Sequence, residues 1–291
     1  IRFQNFRLSS IHGISCDDWD FASPQKSASG FPLTINEMSL GGSLNEPQLD
    51  LVISLNFQSE ENAVSATGSF SILSELYQNE DDNTKFRLTG VNFNGLLVRA
   101  EMSAMKLVGG VCWQKDGEGE RFDGLLQVEL PSIGVGVGLE GTFGKVYDDP
   151  ITPNFDEGFR YWRVDAQVKF GSTGIPLFAG ISLYALGGGF WHHMELDTET
   201  LPDAKSIYAS GGPNIAVDTS DTADPCEFLE QASSSEATYN PNKDMLLGFR
   251  ISAMLGTQGS EDMVNCEVEF IAEINRHGGL QKLQISGDVY V

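Results

Sequence analysis

The chain is poor in basic residues, histidine and cysteine, and it has no long apolar run. Lys and Arg number 18 against 41 Asp and Glu, for a formal net charge of −23. A phosphate-binding face needs a basic patch, and none is visible, which counts against nucleic acid as a partner. The same deficit counts against docking on anionic lipid, so the acidity reads as a solubilising surface. No apolar run approaches the ~20 residues of a membrane-spanning helix. Four cysteines stand at wide, irregular spacings, with no Cys-x-x-Cys, which counts against a structural zinc site. Arithmetic allows two disulfides. Cys112 and Cys266 nevertheless lie in apolar stretches and read as small buried hydrophobes with free thiols. There is no Gly-x-Ser-x-Gly, Walker or dinucleotide fingerprint. Gly187-Gly188-Gly189 continues a strand and precedes no helix, so it does not cradle phosphate.

What is present is alternation. Leu49, Leu51, Ile53, Leu55 and Phe57 fall on one strand face, with Asp50, Ser54, Asn56 and Gln58 on the other. Period-two patterning marks strands with one buried face. It runs from about Leu49 to Trp191 and resumes from Met245 to Val291. Phe93-Asn94-Gly95-Leu96-Leu97 returns as Phe122-Asp123-Gly124-Leu125-Leu126, which suggests one hairpin laid down twice. Gly134, Gly136, Gly138 and Gly144 share a nearly bare strand face, for which Tyr161, Trp162 and Phe170 are candidate cover. Residues 197–244 break the rhythm. Within them Asp224-Pro225 signals a short helix to about Glu230, because Asp caps and Pro fits the first turn. The expected fold is all-β: antiparallel sequential hairpins forming a long curved meander, an open barrel or stacked sheets. Residues 1–48 read as a mixed N-terminal segment. Residues 49–291 read as one β-hairpin domain with a long loop insertion at about 197–244.

Chemistry-bearing clusters are few. His192, His193 and Glu195 could ligate a metal, but adjacent histidines in a strand point to opposite faces unless the chain turns there. Asp148, Asp149, Asp156 and Glu157 are candidate oxygen ligands for weakly held calcium, although the Asp-x-Asp-x-Asp-Gly spacing is missing. No other cofactor is indicated. A glycosidase needs two carboxylates across a groove, and 41 acidic residues offer too many pairs to choose one.

Leu246-Leu247-Gly248-Phe249 through Glu267-Val268-Glu269-Phe270, then Gly278-Gly279-Leu280 and Ile285-Ser286-Gly287-Asp288, carry a rhythm of their own. In them the chain resembles large β-rich proteins of Bacteroidota, some associated with extracellular contractile injection systems. The resemblance implies a secreted or injected β-rich module with no transferable site residues. The chain begins at Ile1 without Met and ends at Val291 in strand-like sequence, so a fragment or processed product is expected.

The functional expectation is a non-enzymatic structural or binding module of a larger exported protein. Its partners would be other parts of that chain or its assembly. A carboxylate-dependent hydrolase or toxin-like effector is the second reading. An outer-membrane barrel is the third. Against a membrane stand Arg99, Glu101 and Lys169 within the strands, the lack of a visible aromatic girdle, and a terminal Val291 in place of an aromatic.

Overall fold

The structure is a computed structural model. It describes residues 2–4, 7–9, 13–15, 18–20, 33–43, 45–58, 62–78, 84–115, 119–147, 158–198, 224–232, 238–259 and 265–290. Near the start, β1 (Arg2–Gln4) pairs with β4 (Asp18–Asp20), and β2 (Arg7–Ser9) with β3 (Gly13–Ser15). Thirteen further strands form one antiparallel sheet. Its continuous path takes β5 (Leu33–Gly42), β6 (Pro47–Gln58), β7 (Asn62–Gln78), β8 (Thr84–Met102), β9 (Met105–Lys115) and β10 (Gly119–Leu130) in sequence order. It goes on through β11 (Val135–Val146), β12 (Phe159–Lys169), β14 (Ile181–His192), β17 (Met245–Thr257), β18 (Asn265–Asn275) and β19 (Leu280–Tyr290). Short β13 (Ile175–Phe178) folds back on β14. This is the meander of sequential hairpins that the alternation predicts. Among the described residues it stays open, with β5 and β19 as its edges.

Between β14 and β17 the chain leaves the sheet. β15 (Met194–Asp197) pairs with β16 (Thr238–Pro241), and helix α1 (Pro225–Ala232) stands between them in sequence. The expected helix is there with its expected cap: Asp224 Oδ1 accepts from the Cys226 amide at 2.8 Å.

The two faces of the sheet differ in polarity. Its buried face is rich in polar side chains, beside apolar clusters such as Leu97, Val108 and Cys112 or Trp191 and Ile271. Ser54, Thr67, Gln127, Glu140, Asp165, Ser182, Arg250 and Glu267 are all buried on it. The face carrying the regular apolar residues is the exposed one: Phe143 is 50 % exposed, Leu139 41 % and Ile285 72 %. Leu49, Leu51, Ile53, Leu55 and Phe57 lie on this outer face, while Val52 and Ser54 between them are buried. The alternation is therefore real and its polarity inverted.

The two Phe-x-Gly-Leu-Leu copies are out of phase. A bulge at Asn94 shifts the β7–β8 register, so that Gly95 and Leu97 face inward. In β10 the equivalents Gly124 and Leu126 face outward. Of the glycine face, Gly134 lies in a turn at φ 65°, and Gly144 is covered by the Tyr161 ring as expected. Trp162 points to the other face, in register with Phe143.

Candidate functional site

Helix α1 covers part of the inner face, and glycines make the room. Gly95 and Gly110 sit on β8 and β9 where a Cβ would collide with Pro225 and Leu229 of α1. Phe228 and Leu229 then pack on Leu97, Val108, Cys112 and Leu125. The Arg99 guanidinium lies 4.8 Å from the Phe228 ring centre. An eight-residue helix is not stable by itself. Here a covalent bond adds to its packing: Cys112 on β9 and Cys226 on α1 form a disulfide. This corrects the free-thiol reading of Cys112. Sequence spacing could not find the pair, because 114 residues separate the two. Cys266 is a free thiol on the outer face.

The β15–β16 hairpin covers the neighbouring part of the inner face. Met194, Leu196 and Tyr239 pack with Tyr161, Trp191 and Ile271. The bare backbone of Gly248 admits the Trp191 indole. Glu273 Oε1 accepts from the Leu196 amide at 3.2 Å, and Lys282 Nζ donates to Thr198 Oγ1 at 3.1 Å.

A ladder of alternating charge crosses the inner face from β11 to β18. Arg163 Nη1 donates to Asp165 Oδ2 at 2.9 Å, its Nε to Thr142 Oγ1 at 3.2 Å, and its Nη2 lies 3.6 Å from Glu140 Oε2. Arg250 stands 3.7 Å from Asp165 Oδ1 and 3.9 Å from Glu269 Oε1. Tyr239, from the insertion, donates its hydroxyl to Asp165 Oδ1 at 2.7 Å. Burial and the adjacent carboxylate push the Tyr239 phenol well up, so it remains the donor. Between α1, the hairpin and the sheet lies a cavity of about 310 Å³. Arg121, Asp123, Glu140, Arg163 and Tyr239 line it, and so do both cysteines of the disulfide.

The outer face has its own order, visible only in register. Trp113, Phe122, Phe143, Trp162 and His192 form one continuous row over β9 to β14. Phe190 and Phe249 stack at 6.1 Å one step below it. Directly beyond the row, on the same face, stand Lys115, Glu120, Lys145 and Arg160, again in mutual register. On the other side of the row the outward residues of β10 and β11 are Gly124, Leu126, Val128, Leu130 and Gly141, Leu139, Val137, Val135. No charge interrupts them. Arg99 and Lys169 do not interrupt this apolar band: they share the inner face with Leu97 and Gln167, and Glu101 has the same parity. The row lies toward the sheet end that carries connections 147–158 and 193–244. The opposite end is closed by turns as short as Ser103-Ala104.

Of the sequence candidates, His192 and His193 do not diverge. His193 takes φ 52° at the exit from β14, and the two rings stack with centroids 3.8 Å apart. Their Nδ1 atoms donate to the carbonyls of Leu246 and Arg160. Glu195 accepts from Asn242 at 2.9 Å. Among the described residues, no group of three His, Cys, Asp or Glu side chains gathers as a metal site. Asp148, Asp149, Asp156 and Glu157 lie outside the described residues. No known family model, curated protein or solved structure matches the chain.

Proposed function

We propose that this chain is a non-enzymatic module of an exported protein whose outer face contacts lipid acyl chains, in the manner of an outer-membrane barrel wall. The observation that carries the reading is the aromatic row Trp113–Phe122–Phe143–Trp162, with a charged row on one side and an uninterrupted aliphatic band on the other. Aromatics collect at the level of lipid headgroups, charges lie beyond them in water, and aliphatic and small residues face the hydrocarbon. From Val135 to Phe143 the band spans nine residues, the length a tilted strand needs to cross a bilayer core. The polar inner face supports the same reading, since a barrel wall alternates lipid-facing and lumen-facing side chains. The Cys112–Cys226 disulfide fits folding in an oxidising compartment, as export requires.

A hydrolase reading has less support. The inner-face carboxylates Glu140, Asp165 and Glu269 each stand beside an arginine. The net charge of −23 does not oppose a membrane here, because contact through an apolar band needs no basic surface. The edges of β5 and β19, unpaired among the described residues, would need strand partners in lipid. The test is co-flotation. Detergent-purified protein, mixed with zwitterionic lipid and freed of detergent, is expected to float with liposomes and to resist extraction by carbonate. A chain that remains a monodisperse monomer in detergent-free buffer, and sediments away from liposomes, sinks the reading.

A further inference from the structure

We propose that the cavity on the inner face of β9 to β12 binds a neutral saccharide of one or two sugar units. The site lies on the face turned away from the proposed lipid contact and stands independently of it.

Strand register lays two rows of residues side by side as the floor of the cavity. One runs Gln114, Arg121, Gly144, Tyr161, and the other Cys112, Asp123, Thr142, Arg163. The Tyr161 ring lies over Gly144, in the space that a Cβ would take. Donors and acceptors alternate along the rows. Gln114 Oε1 accepts from Arg121 Nη2 at 2.7 Å, and Asp123 Oδ2 from Arg121 Nε at 2.6 Å. Asp123 Oδ1 accepts from Thr142 Oγ1 at 2.8 Å, and Thr142 Oγ1 in turn from Arg163 Nε at 3.2 Å. These bonds hold the side chains in place before a ligand arrives. They also leave capacity. A carboxylate offers about four acceptor sites, and the two bonds to Asp123 do not exhaust it. Glu230, on α1 at the rim, takes Gln114 Nε2 at 3.3 Å through Oε1.

The charges of the floor are matched. Arg121 pairs with Asp123, and Arg163 with Asp165 at 2.9 Å and Glu140 at 3.6 Å. An ionic ligand placed on it gives up its hydration without gaining an unmatched counter-charge. A hydroxyl both donates and accepts, so it fits beside an existing donor–acceptor pair. Neighbouring hydroxyls on a sugar ring match neighbouring members of the rows. The walls are apolar: Leu125, Tyr161, Met194 and Leu229 border the same space and offer cover for the C–H faces of the ring. A wholly apolar ligand would leave the floor without its water and without a replacement. The volume of about 310 Å³ lies at the lower end of the ~300–1,000 Å³ of small-molecule sites, which suits a short saccharide over a polymer.

The experiment is isothermal titration of the full, oxidised chain, in a detergent without a sugar headgroup, or in buffer alone if the chain is soluble there. The probes are glucose, galactose, sucrose, trehalose, maltose and cellobiose, with phosphate, alanyl-alanine and putrescine as charged ligands. At least one saccharide is expected to bind with a Kd below about 1 mM, more tightly than any charged probe. Asp123→Asn and Glu230→Gln are each expected to raise that Kd by about tenfold or more. Glu120→Gln, on the outer face, is expected to leave it unchanged. Glu230 is exposed, so its variant keeps the test decisive if Asp123→Asn does not fold. Saccharides that all bind more weakly than about 10 mM overturn the proposal. So does a charged probe that binds more tightly than every saccharide, or a Kd that neither substitution moves.

Discussion

Asp165 and Arg250 meet across a strand that lies between them. Asp165 is on β12 and Arg250 on β17, both paired to β14, yet their side chains approach to 3.7 Å. They do so because Gly189, the β14 residue in register with both, has no side chain. A Cβ there would collide with Asp165 Oδ1 and crowd the Tyr239 hydroxyl. Gly189→Ala is expected to destabilise the protein by about 1–3 kcal/mol through overpacking. Gly90→Ala, with nothing near its Cβ, should stay within ~0.5 kcal/mol. Urea unfolding midpoints of the two variants check this.

Depth should govern the cost of a charge on the outer face. Leu139→Arg, in the middle of the band, is expected to weaken folding into bilayers by about 2–4 kcal/mol. Glu120→Arg, beyond the aromatic row, is expected to cost about 0–1 kcal/mol. Equal costs at the two positions would remove the band as a membrane-facing feature. Folding yield into liposomes across a urea series measures both.

The tryptophans divide by face. Trp113 and Trp162 belong to the outer row, whereas Trp191 is fully buried on the inner face. In single-tryptophan variants, brominated lipids are expected to quench Trp113 and Trp162 strongly and Trp191 weakly. Labels nearer the headgroup should quench more than labels near the chain ends. The fluorescence ratio of brominated to plain vesicles is the readout.

The edges are complementary in direction. Twelve strands lie on the continuous antiparallel path, so its first and last, β5 and β19, run antiparallel to each other. Both present apolar residues outward, Ile35 on one and Ile285 on the other. Cysteine pairs scanned between Thr34 or Ser39 and Gln284, Ser286 or Asp288, in a Cys266→Ala background, are expected to cross-link within one chain in liposomes. Non-reducing electrophoresis separates that product from a cross-linked dimer, which would mean closure by a second copy.

The amino-acid sequence by itself determined the strands, their hairpin order and the small helix. These depend on local features: period-two alternation, turn residues, and the Asp224-Pro225 cap. It also carried the apolar band, residue by residue, in Leu49 to Phe57 and Val135 to Phe143. What only the tertiary structure decided is which face is inside. Alternation states that two faces differ and is silent on which one meets solvent. Burial of Gln127 and Glu140 on the face opposite exposed Leu139 follows only from the assembled sheet. The aromatic row was illegible for a related reason. Trp113, Phe122, Phe143 and Trp162 are spaced nine to twenty-one residues apart and align only through strand register. The Cys112–Cys226 bond was hidden by the same non-locality, since it depends on α1 folding back over β9, a contact set by the glycine notches at Gly95 and Gly110. Local pattern therefore wrote the elements, and long-range register and packing assigned their faces.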